Sequence, residues 1–375
     1  MLKIVGYMDD ISIIGPFNVL NEIASEASLF YRNIGLVLNA DKCLLIGKVK
    51  DRLTIDGVEI PFLNYSSDAF RFLGCWLGNV PKITEELNNL LMTLVSELDT
   101  ISSFEIEKHF KIFILKICYS GKITHILRTT SPDILREFCR SFNLLRTKFF
   151  ASLIDVNPEL IRSHVFSSSN FGGINFTKSS ILCQAAYLGG GKNFVFEFCN
   201  RFSNDINLLN FTSNNFLRDL QNALDFLPSD ICSKCFPDNV QEIPYRTLVN
   251  LRYCVKKLQQ KLTLIFEGLD FNVRLGSAKK DNPAFANFLL DAKNSSSSCL
   301  IPQIPQIYGL LLNDTEFSCT MRLRCFIWPD NVPHNLICKC GSTISPNHLF
   351  NCKHFITFRS KVHNAVRDQL YCMSK

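Results

Sequence analysis

Asp9 and Asp10 are adjacent carboxylates between two short β-prone runs, Ile4-Val5-Gly6-Tyr7-Met8 and Ile11-Ser12-Ile13-Ile14. Apolar runs flanking a polar tip predict a hairpin whose tip projects from a sheet. Two anions held side by side repel each other unless a cation compensates. Mg²⁺ suits such a pair, because it takes hard oxygen ligands and keeps room for phosphate oxygens. Asp-Asp is also ordinary turn chemistry, and the dipeptide alone does not separate the two readings.

A second cluster lies near the other end of the sequence. Cys338, Cys340, His348 and Cys352 follow the pattern C-x-C-x7-H-x3-C. Gly341 and Pro346 fall in the interval and favour a tight reversal of the chain. His348 and Cys352 are four apart, so one helical turn would aim both at one ion. Thiolates and imidazole suit tetrahedral Zn²⁺, and four such ligands with no carboxylate fit a closed structural site. Cys325, His334 and His354 stand close enough in sequence to replace one of the four. Cys232-Ser233-Lys234-Cys235 is a lone C-x-x-C, and two thiols do not complete a tetrahedral site.

The elements that must position these groups belong to a chain of 375 residues, 47% hydrophobic. That is ample for packed cores in two or three domains, and it excludes wholesale disorder. No charge-free apolar run reaches about 18 residues, so no transmembrane helix is expected. Met1-Leu2-Lys3-Ile4-Val5-Gly6 lacks the apolar stretch of a signal peptide. An intracellular protein, nuclear or cytoplasmic rather than secreted, is the expectation. Its 16 cysteines then read as buried thiols or metal ligands rather than disulfides. The net charge of +6 permits a nucleic-acid partner without requiring one.

The spacing predicts an α+β fold. A helix follows Pro16, with Leu20, Ile23, Ala24, Ala27, Phe30 and Ile34 on one face and Gly35 at its end. Strands are predicted at Gly35-Leu36-Val37-Leu38 and Cys43-Leu44-Leu45-Ile46, flanking Asn39-Ala40-Asp41-Lys42. Asp56-Gly57 joins Leu53-Thr54-Ile55 to Val58-Glu59-Ile60 as a two-residue hairpin. Phe70-Arg71-Phe72-Leu73-Gly74 closes this region. From Pro81 the chain turns helical, with later helices over 104–119, 133–154, 179–188 and 245–266. Gly172-Gly173 and Gly189-Gly190-Gly191 are expected to punctuate them. Arg136 and Arg140 share a helix face, as a phosphate contact or an ordinary solvated surface. The serine run after Asn294, followed by Pro302 and Pro305, predicts a linker over 294–307. Asn313-Asp314-Thr315-Glu316 then looks like a helix start.

Taken in order, these elements resemble the second half of a reverse-transcriptase palm. Tyr7-Met8-Asp9-Asp10 matches that family's Y/F-x-D-D hairpin. Gly35-Leu36-Val37-Leu38-Asn39-Ala40-Asp41-Lys42-Cys43 resembles the G-L-x-L-N-x-x-K element of the non-LTR (LINE-like) retrotransposon branch. Phe70-Arg71-Phe72-Leu73-Gly74 resembles its primer-grip strand. The resemblance implies an RNA-directed DNA polymerase working by two-metal nucleotidyl transfer. Asp9 would be a ligand to the catalytic Mg²⁺ pair, and Asp10 would support it. Tyr7 would pack near the primer terminus, and Phe72, Leu73 and Gly74 would position it. Lys42 would approach the triphosphate, or is a solvated loop lysine. An RNA template and a DNA primer or target are the implied partners, with no membrane.

Cys338 to Cys352 is similar to the zinc knuckle of members that carry a restriction-like endonuclease. The segment after it, Phe358-Arg359-Ser360-Lys361-Val362-His363-Asn364-Ala365-Val366-Arg367-Asp368, resembles the R-H-N/D-x-V-x-D run found there, with Val before the His where Arg is usual. Arg359, His363 and Arg367 fall four apart on one helical stripe and form a candidate nucleic-acid contact. The implied organisation is a C-terminal part of a palm over 1–79, thumb helices over 80–155 and a helical connector over 156–293. The linker of 294–307 follows, then a helix, zinc knuckle and basic helix over 308–375. The sequence offers no second metal-binding Asp in a matching strand and no fingers. The expectation is therefore a truncated piece, inactive alone, with a zinc-dependent nucleic-acid-binding remnant as the alternative.

Overall fold

The computed structural model describes residues 3–7, 10–48, 52–72, 74–174, 176–201, 215–225, 227, 231, 235, 257–294, 314–328, 336–344, 348 and 352. The chain mixes helix and strand, an α+β fold, and divides into two compact units, Met1–Asn89 and Leu90–Lys375.

The first unit opens with β1 (Lys3–Tyr7) and β2 (Asp10–Ile14), an antiparallel pair with Tyr7 directly opposite Asp10. α1 (Phe17–Asn33) begins where Pro16 stays extended and its carbonyl accepts the Val19 and Leu20 N–H groups. It ends as predicted. Gly35 takes φ +81°, and the Leu36 N–H returns to the Tyr31 carbonyl at 2.8 Å. That left-handed step costs a glycine nothing. The inner face of α1 presents Ala24 to Leu45, Leu53, Ile55 and Ile60, the small core of this unit.

β3 (Leu45–Gly47) pairs in parallel with β6 (Phe62–Asn64). β4 (Thr54–Ile55) and β5 (Val58–Glu59) form the predicted hairpin, with Asp56 at φ 53° and Gly57 at φ 83°. Two left-handed residues give the turn whose twist matches the flanking strands. Asp56 also clamps this turn to α1: Arg32 lies 2.5 Å from it and the Ser28 hydroxyl donates to it at 2.7 Å. β7 (Ala69–Phe72) and β8 (Cys75–Gly78) form the last hairpin, with Arg71 opposite Trp76. One expected strand is absent. Residues 36–39 pair with nothing regular, and Leu36 and Val37 are 55% and 78% exposed. The Asn39 side chain instead accepts the Asp41 N–H and starts a 3₁₀ turn, Ala40–Lys42. Local side-chain capping has outcompeted the ladder here.

α2 (Val80–Ser103) spans the boundary of the two units. In the second, α3 (Lys108–Ile114), a π turn (Leu115–Tyr119) and α4 (Ser120–Thr129) run on continuously, and α5 (Pro132–Leu153) follows. α6 (Ser179–Arg201), α7 (Asn215–Asp225), α8 (Leu258–Asp281), α9 (Pro283–Asn294) and α10 (Asp314–Arg324) complete the described helices. α6 is the hub, packed on α4, α5 and α8. Leu188, Val195, Leu220, Leu224 and Leu262 fill part of the core around it. Among the described residues, no helix is long and apolar enough to cross a membrane.

Two expectations need correction. Gly189, Gly190 and Gly191 do not end a helix; they lie inside α6. Close packing explains them. A Cβ would sit 2.7 Å from the Gln259 Cβ at Gly189 and 2.9 Å from the Arg128 carbonyl oxygen at Gly190, and would overlap a Leu220 methyl at Gly191. The helix expected over 245–266 also differs. Lys257 is left-handed at φ 60°, so α8 begins after it and runs on to Asp281. Residues 245–256 of the expected helix lie outside the described residues.

Candidate functional site

Cys338, Cys340, His348 and Cys352 come together. All four ligand atoms lie within 4.8 Å of one another. The first two sit on a short hairpin in which Ile337 faces Thr343 and the Ile344 N–H reaches the Leu336 carbonyl. Its turn is tight: the Gly341 N–H donates to the Cys338 carbonyl at 2.8 Å, and Gly341 takes φ +85°. Only a glycine adopts that conformation without strain. On the other side, the Cys352 N–H donates to the His348 carbonyl at 2.8 Å, the single helical step their spacing predicts.

The distances fit one tetrahedral ion. Cys338 Sγ lies 3.6 Å from Cys352 Sγ, and Cys340 Sγ lies 3.5 Å from His348 Nε2. Metal–sulfur bonds of about 2.3 Å and metal–nitrogen bonds of about 2.0–2.1 Å at tetrahedral angles put such atoms about 3.8 and about 3.6 Å apart. The cluster could therefore hold a metal ion such as zinc, with His348 offering Nε2. Its electrostatics agree. The Ser342 N–H, then its hydroxyl, hydrogen-bond the Cys340 sulfur and bring that thiol down to about 7. The Cys340 N–H likewise favours the Cys338 thiolate, although burial and the neighbouring thiols raise Cys338 on balance. A positive ion among three sulfurs would reverse that repulsion. Sequence reasoning missed Ser342. Its signal was the position two residues beyond the second cysteine, in the C-G-S turn. Cys325 is fully buried just beyond α10 and is not among the clustered ligands, whereas His334 and His354 lie outside the described residues.

The first hairpin places Tyr7 and Asp10 across from each other at the end of the β1–β2 ladder. Asp9 lies outside the described residues. Lys42 is exposed at the end of the 3₁₀ turn that Asn39 caps. Phe72, 36% exposed, ends β7 opposite Cys75, and Gly74 takes φ +83° in the turn between them; Leu73 is outside the described residues.

Arg136 pairs with Asp133 at 2.7 Å and Arg140 with Glu137 at 3.8 Å, so each charge on that face of α5 has an acidic neighbour. Arg359, His363 and Arg367 lie outside the described residues, as does Cys232, while Cys235 is buried in the apolar core around α6. In comparison with known proteins, no family model and no curated sequence matches this chain.

Proposed function

We propose that this chain is part of a reverse transcriptase of the non-LTR retrotransposon type, carrying palm and thumb segments and a structural zinc knuckle. The observation that carries the reading is an ordered run of elements. It comprises a hairpin with Tyr7 opposite Asp10, α1, the capped turn bearing Lys42, and a hairpin that turns after Phe72 through Gly74. In this reading Asp9 and Asp10 bind Mg²⁺ beside a primer 3′-hydroxyl, and Lys42 meets the triphosphate. Tyr7, Phe72, Leu73 and Gly74 hold the primer end. The α5-bearing helical body grips the template–primer duplex. A two-metal site also needs a further bridging carboxylate on a neighbouring strand.

The knuckle supports a second reading within the same family: zinc-dependent nucleic-acid binding without polymerase activity. The tetrahedral spacing of Cys338, Cys340, His348 and Cys352 favours it. Zn²⁺ there would fix the hairpin and the turn at His348, and so orient the segment with Arg359, His363 and Arg367.

Fluorescence anisotropy with an RNA template annealed to a recessed DNA primer separates the two. The polymerase reading predicts tighter binding to the recessed end than to blunt duplex, with a Mg²⁺-dependent part lost in Asp9→Ala. Affinity that depends on zinc and Cys338 but is indifferent to Asp9 and to the primer end favours the second reading. No affinity for either substrate contradicts both.

A further inference from the structure

The knuckle residues differ in their access to solvent. Cys338 and Cys352 are each 7% exposed, whereas Cys340 is half-buried at the hairpin turn beside exposed Lys339 and Gly341. The Cys340 sulfur lies within 4.8 Å of the sulfurs of both other cysteines, which are themselves 3.6 Å apart. Cys338 is separated from it by one residue, so a bond between those two would close a strained ring. Cys352 approaches from a separate segment, twelve positions on in sequence, and carries no such constraint.

We propose that the knuckle is a peroxide-sensitive metal switch, in which Cys340 is the sulfur attacked and Cys352 the one that resolves it. This rests on the metal-binding reading of the cluster. The Cys340 thiolate attacks one oxygen of hydrogen peroxide; the O–O bond breaks, hydroxide leaves and a sulfenic acid forms. The Cys352 thiolate then attacks that sulfur, a disulfide forms and a second hydroxide leaves. Two thiolates have lost two electrons and peroxide has gained them. Cys338 and His348 remain, and two ligands do not retain the ion. A dithiol reductant returns both thiolates and restores the site.

Other thiols are poor competitors. Cys139 and Cys183 hydrogen-bond each other, but both are buried, and that neighbouring thiol together with burial raises Cys183 far above the usual thiol range. Access to solvent decides susceptibility, and that pair lacks it. Cys118 is exposed on the π turn and serves as the control.

The test uses the full chain purified under reducing conditions. Zinc content is measured first, then metal release into a chromogenic chelator as hydrogen peroxide is added, with disulfides mapped by peptide mass spectrometry. The expected result is one zinc per chain before oxidation, one equivalent released per Cys340–Cys352 disulfide, and recovery with dithiothreitol and zinc. Cys118→Ser should release metal at the wild-type rate. A chain without zinc at the outset overturns the metal-binding reading and the switch with it. Bound zinc that survives peroxide, or that leaves without a Cys340–Cys352 disulfide, overturns the switch and leaves the metal site standing.

Discussion

His164 Nε2 lies 2.7 Å from the carbonyl oxygen of Arg324, joining the loop after α5 to the end of α10. A carbonyl only accepts, so Nε2 carries the proton and donates. Nδ1 is buried with no hydrogen-bond partner, and the imidazole packs edge-to-face against the rings of Phe285 and Phe288. Burial, against the helping Arg324 carbonyl, lowers His164 to about 3, and Arg274, Arg162 and Arg324 add repulsion.

The unfolded chain therefore binds a proton below about pH 6.5 that the folded chain refuses until about pH 3. Stability contributed by neutral His164 falls as pH drops through that window, by about 2 kcal/mol between pH 7 and pH 5. His164→Phe should lose that slope. It should also be less stable at pH 7 by about 1–3 kcal/mol, because the Arg324 carbonyl loses its donor. Chemical denaturation of both proteins at pH 5 and 7 measures this; equal slopes would contradict it.

Gly190 and Gly276 are both helical and should respond with opposite signs. A Cβ at Gly190 meets the Arg128 backbone oxygen at 2.9 Å, and backbone cannot swing aside. Gly190→Ala should destabilise by about 1–3 kcal/mol through overpacking. Gly276 has nothing within 4 Å, so Gly276→Ala should stabilise by about 0.5–1 kcal/mol through helix propensity. Thermal melts of the two variants decide it.

Glu267 is buried on α8, and its Oε1 accepts the Ser168 N–H and the Thr177 hydroxyl, each at 2.9 Å. It thus fixes the loop that carries Gly172 and Gly173. Glu267→Ala leaves a buried N–H without an acceptor and should cost about 1–3 kcal/mol. Glu267→Gln keeps an oxygen there and should cost less. Equal losses in denaturant titrations would show that the charge, rather than the acceptor, matters.

Asp56 joins the β4–β5 turn to α1, and the Ser28 hydroxyl, then Arg32, hold its carboxyl below the usual range. Its folded pKa is depressed, so its contribution is present above the usual carboxylate range and is lost as pH falls through the lowered value. Asp56→Asn should keep the left-handed turn and lose the ion pair, whereas Asp56→Ala should lose both. Amide exchange at Thr54, Ile55, Val58 and Glu59 should therefore rise more in the alanine variant.

Local signals in the sequence were legible where short-range chemistry decides the structure. Asp56-Gly57, Pro16 and Gly35 each act through one or two backbone angles, and each did what its residue type dictates. The C-x-C-x7-H-x3-C spacing placed its four ligands together for the same reason. Long-range packing was not legible. The three glycines of α6 read as a break, because nothing in a single sequence announces that Gln259, Arg128 and Leu220 press against them. The α5 arginines, by contrast, are a local case: Asp133 and Glu137 stand three positions before Arg136 and Arg140 and pair with them across one helical turn, in keeping with the solvated-surface alternative.

The most direct measurement is zinc-edge X-ray absorption on the purified full chain. Three sulfurs at about 2.3 Å and one nitrogen at about 2.0–2.1 Å, with one zinc per chain, are predicted for Cys338, Cys340, His348 and Cys352. In Cys352→Ser a sulfur should disappear from the shell and affinity should fall. A shell dominated by oxygen, or one unchanged in that variant, would contradict the site.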